Sequence, residues 1–269
     1  PIFADIKKDT WCMDPESVKK LITAKTKAIM PVHLYGHATD MVEIMKIANE
    51  HKLFVVEDAA PAIGATVQGR KVGSFGDFAA FSFQGAKLTV TGEGGMLVTN
   101  NKELYNKVYS LWDQGRDLSK TFWINETGWK YKMSNVQAAI GLGQLQRVEE
   151  LIYAKRRIFS WYHDRLKDVK NVRLCCEPEN TRSIYWMSSL QVLPESKLTR
   201  DQLRDELKKR NIDTRPVFPA ISQYPIWKKP QATQSVSKEI GDTAINLPSG
   251  VCLKEDQIDY ICRAIRDLV

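Results

Sequence analysis

The first half of the chain alternates short apolar runs with segments of helical periodicity. Four runs have the length of buried strands: 27–32 (KAIMPV), 53–57 (LFVVE), 78–83 (FAAFSF) and 95–99 (GMLVT). Between the first two runs, the pattern predicts an amphipathic helix at 41–51 with Asp40 as its N-cap. This alternation predicts an α/β domain with a largely parallel sheet.

The second half has a different pattern. One long helix, capped by Ser134, is predicted from the apolar periodicity to run on to Lys167 and to link two domains. The elements expected after it are a strand at 184–192, an exposed loop at 225–234, a helix capped by Thr199 and a closing helix near 256–268. This half therefore predicts a smaller α+β unit.

A length of 269 residues exceeds the usual size of one domain. We predict a large domain at 1–148 and a small domain at 149–269. Hydrophobic residues make up 43% of the chain and charged residues 26%, which is typical of globular proteins. No apolar run approaches the length of a membrane span and no signal-like segment opens the chain, so we expect a cytoplasmic protein without a membrane partner.

Charge and metal-ligating residues narrow the range of partners. The net charge is +7, but Lys and Arg are interspersed with Asp and Glu, which favours a solvated surface over a nucleic-acid interface. A basic mouth that attracts a phosphorylated small molecule remains the alternative. His33 and His37 lie four residues apart without the Glu of a metalloprotease motif, and the five cysteines have no metal-site spacing. We therefore predict no metal.

Four features of the first half combine into one candidate site. Glu57 and Asp58 end one predicted strand, Ser82 ends another, Lys87 lies in the following loop, and 92–95 (GEGG) completes that loop. Functional side chains in such sheets gather beyond the carboxyl ends of the strands. We therefore expect these residues to lie together.

This set of residues suits pyridoxal 5'-phosphate (PLP). PLP enzymes need a lysine amine that forms a Schiff base with the cofactor and then moves a proton, which is the role expected of Lys87. They need a carboxylate that faces the pyridine nitrogen, and Asp58 is the candidate. Ser82 and the neighbouring backbone offer donors to the cofactor phosphate.

Several segments resemble one known family. They are 57–65 (EDAAPAIGA), 73–100 (GSFGDFAAFSFQGAKLTVTGEGGMLVTN), 131–145 (YKMSNVQAAIGLGQL), 31–37 (PVHLYGH), 183–192 (SIYWMSSLQV), 213–218 (DTRPVF) and 245–250 (INLPSG). In this order they are similar to the sugar aminotransferases of the DegT/DnrJ/EryC1/StrS group, a branch of the fold-type I PLP enzymes. The later segments look like the members that aminate C4 of a GDP-linked 4-keto-6-deoxy sugar.

The resemblance implies roles for individual residues. It makes Lys87 the Schiff-base lysine, Asp58 the partner of the pyridine nitrogen and Ser82 a phosphate ligand. It also implies a homodimer, in which the segment matching 128–133 (GWKYKM) reaches into the neighbouring subunit. Lys130 stands where relatives often carry an Asn that contacts the phosphate, so the attraction is kept with a different geometry.

Two further departures from the family pattern affect the cofactor. Pro61 stands where many relatives have Gln or Glu, and proline has no side-chain donor for the cofactor hydroxyl. The family also has chain before the position of Pro1, with a phosphate-binding cup and an aromatic residue that stacks on the ring. We expect the sequence to be a fragment, and expect weaker cofactor binding if nothing precedes Pro1.

Substrate contacts are predicted from three residues. The planar guanidinium of Arg215 suits a phosphate or carboxylate, although a surface ion pair is the alternative. Trp186 is a candidate for stacking on the nucleotide, with a place in the core as the alternative. His33 follows a buried strand and is expected near the substrate, or else serves as a structural histidine.

The predicted activity is transfer of an amino group from glutamate to a nucleotide-linked keto sugar. The lysine at position 87 favours transamination, because a related dehydratase branch carries histidine there. A phosphate-binding ATPase or a dehydrogenase is excluded, because neither glycine-rich fingerprint is complete. A non-catalytic relative that binds PLP or a sugar nucleotide as a regulator remains the alternative.

Overall fold

The computed structural model describes residues 1–117, 119–227 and 235–269, and most of the loop predicted at 225–234 lies outside them. The helices are α1 (Pro15–Leu21), α2 (Met41–His51), α3 (Lys102–Trp112), α4 (Asn135–Gln146), α5 (Val148–Leu166), α6 (Arg200–Lys209), α7 (Ser235–Thr243) and α8 (Glu255–Leu268). The strands are β1 (Ala28–Ile29), β2 (Phe54–Asp58), β3 (Thr66–Val67), β4 (Arg70–Lys71), β5 (Phe78–Ser82), β6 (Gly95–Val98), β7 (Val172–Leu174), β8 (Thr181–Arg182), β9 (Ser188–Val192), β10 (Arg215–Pro216) and β11 (Ala244–Leu247).

The main sheet has the strand order β1-β2-β5-β6. The first three strands are parallel, and β6 pairs antiparallel with β5, so that Ser82 lies opposite Gly95. The α/β class predicted from the sequence is confirmed. Because β1, β2 and β5 run in the same direction, their carboxyl ends share one edge of the sheet.

A second sheet has the order β10-β11-β9-β7, and all of its pairs are antiparallel. Its core contains buried side chains of α5, α6 and α8, among them Tyr162, Leu203 and Ile265. A separate core surrounds α2 and the main sheet, and Ile152 at the start of α5 packs into it. The domain boundary at 148/149 stays a prediction. It lies next to the residue that separates α4 from α5.

Helix starts follow the capping residues expected from the sequence. The Asp40 carboxylate accepts a hydrogen bond from the Glu43 N–H, and α2 begins at the next residue. Ser134 and Thr199 each form a capping box with the glutamine three residues later. These polar contacts satisfy N–H groups that the helices cannot pair internally.

Three predicted elements are wrong in their extent, and the first is the strand expected at 27–32, of which only Ala28–Ile29 form β1. The helix expected from Ser134 to Lys167 is two helices, because Arg147 leaves the helical region with φ −108° and ψ 9°. The strand expected at 184–192 begins only at Ser188. Tyr185 interrupts it with a φ of 46°, a left-handed conformation that no strand contains.

Across the described ranges, no helix is long and apolar enough to cross a membrane. The same residues contain no group of three or more His, Cys, Asp or Glu side chains placed to hold a metal ion.

Candidate active site

Lys87 lies in the loop that joins β5 to β6. The loop is closed by hydrogen bonds from Phe83 N to Gly94 O (2.9 Å) and from Thr91 N to Phe83 O (2.8 Å). Gly94 has a φ of 142°, a backbone conformation that residues with a side chain rarely adopt, so the loop favours glycine at this position. Lys87 itself donates its backbone N–H to Gln84 O (2.8 Å). This turn holds the lysine in a half-buried position.

Asp58 ends β2 at the edge where β5 also ends. Its backbone pairs in register with Ala80 of β5, and its Oδ1 accepts a hydrogen bond from Ala60 N (3.1 Å). Burial lowers the pKa of Lys87 below its ordinary value, and the negative charge of Asp58 acts in the opposite direction. The amine and the carboxylate are therefore electrostatically coupled, as the sequence pattern predicts.

Trp186 lies against the same lysine. The Lys87 Nζ is 4.2 Å from the centroid of the indole ring, within the range of a cation–π interaction. The indole Nε1 donates a hydrogen bond to Ala86 O (2.8 Å), the residue before Lys87. Trp186 is only 6% exposed, so little of its ring is free to stack on a nucleotide. The structure thus shows a contact of Trp186 with Lys87, and the predicted contact with the substrate stays a prediction.

His33, which the sequence predicts to be near the substrate or else to be structural, lies inside the protein. It is completely buried, and its Nδ1 accepts a hydrogen bond from Thr39 N (3.1 Å). The other ring nitrogen lies 3.1 Å from the Glu57 carboxylate and therefore carries the proton of the neutral ring. Both ring nitrogens have partners within the protein, which favours the structural alternative, and contact with a substrate stays a prediction.

Glu57 is the buried anchor of this part of the site. Its carboxylate accepts backbone N–H bonds from Gly73, Phe75 and Gly76, all at 2.7 Å. Burial raises the pKa of Glu57, but the hydrogen bonds from His33 and from these N–H groups outweigh it and hold the pKa below the ordinary value. Glu57 therefore ties the 73–76 turn to β2, directly beside Asp58.

Replacing Glu57 by glutamine is expected to lower the free energy of unfolding by about 2–4 kcal/mol at neutral pH. The glutamine amide turns its NH₂ group toward backbone N–H donors of the 73–76 turn. Some of these donors are then left without an acceptor. Since the folded pKa is depressed, the wild-type stabilisation is present above the ordinary pKa of 4.5 and is lost as the pH falls through the folded value. Urea unfolding at neutral and acidic pH measures both effects. Glu50→Gln on the exposed end of α2 is the control, and equal stability of Glu57→Gln and wild type would contradict the assignment.

The remaining predicted site residues are Ser82, Lys130 and Arg215. Ser82 ends β5 at the start of the lysine loop, and its half-buried hydroxyl accepts a bond from Gln84 N (3.3 Å). Lys130 is exposed, with its backbone bridged to Asp113. Within the described residues, neither Lys130 nor Arg215 has a side-chain contact with Lys87.

Arg215 is connected to the site through contacts of neighbouring residues. It lies exposed on β10, three residues before Phe218, whose N–H donates to the Tyr35 hydroxyl (2.9 Å). The Tyr35 ring stacks on Phe218 (5.6 Å, 11°) and on Trp186 (6.1 Å, 24°). This aromatic stack links the segment of Arg215 to the indole beside Lys87.

Sequence reasoning missed Lys155, which is 8% exposed and lies on the buried face of α5. Its Nζ donates to the backbone oxygens of Trp186 (2.8 Å) and Ser249 (2.5 Å). A signal was present, because Lys155 shares helical spacing with Ile152, Phe159 and Tyr162 on a face that is otherwise apolar. A lysine at a core position of an amphipathic helix needs internal acceptors.

The residues around Lys87 fit PLP. A half-buried primary amine with a lowered pKa lies in the loop after β5, a carboxylate at the end of β2 acts on it, and a hydroxyl lies at the end of β5. A primary amine, a carboxylate for the pyridine nitrogen and donors for the phosphate are the groups that such a cofactor requires.

Comparisons with known proteins identify the family of this chain. The DegT/DnrJ/EryC1/StrS aminotransferase family matches residues 1–266. A GDP-perosamine synthase of Escherichia coli O157:H7 is 39% identical over 267 residues, which cover 99% of this chain and 72% of that protein. Helicobacter pylori PseC, an aminotransferase involved in the biosynthesis of pseudoaminic acid, superposes with a TM-score of 0.94 at 25% identity, covering 100% of this chain and 73% of its own. A putative sugar aminotransferase from Streptococcus pneumoniae, solved in its PLP form, has the same fold, with a TM-score of 0.91 at 24% identity, covering 100% and 74%.

Proposed function

Because this chain belongs to the DegT/DnrJ/EryC1/StrS aminotransferase family, we propose that it moves the amino group of L-glutamate to C4 of a GDP-linked 4-keto-6-deoxy sugar. It is a PLP-dependent aminotransferase. The choice of GDP and C4 rests on its similarity to a GDP-perosamine synthase. The proposed substrates are small and water-soluble, and we assign the reaction to the cytoplasm.

The environment of the Lys87 amine carries the proposal. A lysine with an ordinary pKa is charged at neutral pH and is a poor nucleophile. Burial holds the pKa of Lys87 below that value, so a larger fraction of the amine is neutral and able to condense with an aldehyde. When bound, PLP would supply an electron sink for the substrate carbon and a carrier for the amino group between donor and acceptor. Lys87 would hold the cofactor in the site, and it moves the proton at the substrate carbon in both half reactions.

Two further side chains are proposed to orient the cofactor. The Asp58 carboxylate would face the pyridine nitrogen and keep it protonated, and its bond from Ala60 N holds the carboxylate in one direction. The Ser82 hydroxyl donates to the phosphate from the end of β5. Both lie at the carboxyl edge of parallel strands, where α/β sheets bind their ligands.

Arg215 and Lys130 are proposed to bind anionic groups from the rim of the site. Arg215 is exposed and has no ion pair among the described residues, so its guanidinium is free for a diphosphate or the donor carboxylate. Lys130 is proposed to reach the phosphate in a neighbouring subunit, which requires a homodimer.

An apolar surface supports the homodimer. On α4, the side chains of Val136, Ile140 and Leu142 are exposed, although the helix has few polar residues to keep it in water. Phe122, Trp123, Ile124, Trp129 and Tyr131, in the segment that contains Lys130, are also exposed. A second copy of the chain would bury both regions and bring Lys130 to its partner's site.

Leu142→Glu is expected to shift the protein from dimer to monomer, because a carboxylate in a buried apolar interface is unpaired. Light scattering coupled to size exclusion measures the mass. Val42→Glu, an exposed position on α2 away from this surface, is the matched control. A Leu142→Glu protein that stays dimeric would contradict an interface on α4.

The proposed reaction is tested with PLP, isotopically labelled glutamate and a panel of GDP-, UDP- and dTDP-linked 4-keto-6-deoxy sugars. Mass spectrometry of the products follows the label. We expect label in the GDP-linked amino sugar and much less in the others. A panel in which no sugar acquires nitrogen would overturn the proposal.

A further inference from the structure

We propose that Trp186 is a positioning residue for Lys87 and that Lys155 holds Trp186 in place. The inference rests on the proposed function in one respect, since it takes Lys87 to be the cofactor lysine. It replaces the role that the sequence predicts for Trp186, which is contact with the nucleotide.

Trp186 holds the lysine loop at two points. Its ring face lies 4.2 Å from the Lys87 Nζ, and its Nε1 donates to the carbonyl oxygen of Ala86. The first contact acts on the amine itself, and the second fixes the backbone one residue earlier. One side chain from outside the loop thereby fixes both the direction of the lysine side chain and the path of the chain that carries it.

The backbone of Trp186 needs this support, because it lies outside any strand. Tyr185 has a φ of 46°, and β9 begins only at Ser188. The Lys155 Nζ donates to the Trp186 oxygen at 2.8 Å, from a helix that is regular and well packed. It therefore ties an irregular segment to α5.

Lys155 also ties the loop after β11 into the same arrangement. Its second bond is to Ser249 O, and the Ser249 hydroxyl accepts the N–H of Ser188 at 2.9 Å. The Tyr162 hydroxyl donates to the neighbouring Pro248 O at 2.9 Å. The segment that contains Trp186 and the loop after β11 are thus joined through Lys155, whose burial lowers its pKa to about 8.

The Trp186 ring has little freedom to leave this place. It stacks on Tyr35, whose hydroxyl is bound by the Phe218 N–H, and only 6% of the residue is exposed. A platform for a nucleobase needs an open ring face. The observed burial therefore favours contact with Lys87 over contact with substrate.

The first test uses the cofactor-free protein, so it does not depend on the proposed reaction. Lys87 is acetylated at a pH high enough for the amine to be neutral, and peptide mass spectrometry gives the labelling rate. Trp186→Leu is expected to raise the rate at Lys87 severalfold, because the ring no longer covers the amine. Lys155→Met is expected to act in the same direction by releasing Trp186.

Matched controls separate these effects from general loosening of the fold. Trp161→Leu on α5 and Lys167→Met directly after its end alter the same residue types without contacting Lys87, and both are expected to leave its labelling unchanged. Should Trp186→Leu or Lys155→Met fail to fold by circular dichroism, Trp186→Phe tests the same claim, because it keeps a ring but loses the bond to Ala86. Wild-type labelling of Lys87 in the folded Trp186 variants would overturn the proposal, and wild-type labelling in Lys155→Met alone would overturn the part played by Lys155.

The second test uses the PLP-loaded enzyme and Trp186→Phe. A positioning role predicts a lower kcat with a KM for the sugar nucleotide close to wild type. A raised KM with an unchanged kcat would overturn the proposal in favour of nucleotide binding. Failure of the proposed function is recognised separately, because the wild type would then show no turnover while the labelling result still stands.

Discussion

Lys87→Arg is expected to lower kcat for amino transfer at least about a thousandfold, the largest effect of any substitution considered. Arginine keeps the positive charge and much of the length of the side chain. Its guanidinium stays protonated in proteins, so it cannot condense with the cofactor aldehyde or take up a proton from the substrate. The loss therefore comes from chemistry rather than from charge or packing.

Steady-state rates with glutamate and the keto-sugar nucleotide measure this loss. Lys102→Arg, at the exposed start of α3, makes the same change away from the site and is expected to keep the wild-type rate. Unfolding midpoints of the two variants show whether either one disturbs the fold. A Lys87→Arg enzyme with near wild-type kcat would remove Lys87 from the mechanism.

Asp58→Asn is expected to lower kcat about 100-fold. Asparagine has nearly the same shape, and its side-chain oxygen can still accept the bond from Ala60 N. Only the negative charge is lost, and with it the group that keeps the pyridine nitrogen protonated.

The same variant has an effect that is measurable without cofactor. Burial lowers the pKa of Lys87 and the charge of Asp58 raises it, so removing that charge moves the pKa further down. The pH dependence of Lys87 labelling is therefore expected to shift to lower pH in Asp58→Asn. Asp164→Asn on α5 is the control, and an unchanged labelling profile for Asp58→Asn would show that the two groups are not coupled.

The local sequence was sufficient to predict helix starts and strand ends, because nearby residues determine them. Asp40, Ser134 and Thr199 cap helices because their side chains bond to N–H groups within three residues. The strand ends that carry Asp58 and Ser82 follow from apolar runs bounded by polar residues. Lys87 could be placed in the loop after β5 for the same reason.

Elements that depend on distant contacts were predicted less well. The break at Arg147 has no Gly or Pro to mark it, and the apolar spacing continues through both α4 and α5. Tyr185 and Trp186 are buried because Tyr185 stacks on Phe159 and Trp186 lies against Lys87, and not because they pair in a sheet. Apolar periodicity alone does not distinguish these two causes.

The neighbouring carboxylates at the end of β2 show the same limit. Successive side chains of a strand point to opposite faces, so Glu57 shares the buried side with Val55 while Asp58 points the other way. Glu57 then meets His33 and the 73–76 turn, which makes His33 structural. The sequence shows that both carboxylates are present, but their partners are decided by the fold.

The contacts of Trp186 and Lys155 join residues far apart along the chain. Trp186 bonds to Ala86, 100 residues earlier, and Lys155 bonds to Ser249, 94 residues later. Pairings of this kind have no local signature. Only the unusual position of Lys155 on an apolar helix face indicates that it has a specific partner.

Reduction of the PLP-loaded protein with borohydride, followed by peptide mapping, tests the central claim most directly. The reagent fixes the cofactor permanently on whichever amine holds it. We predict that the label is found on Lys87, and that Lys87→Arg carries none. A label on other lysines with Lys87 unmodified, or no label at all, would contradict the account.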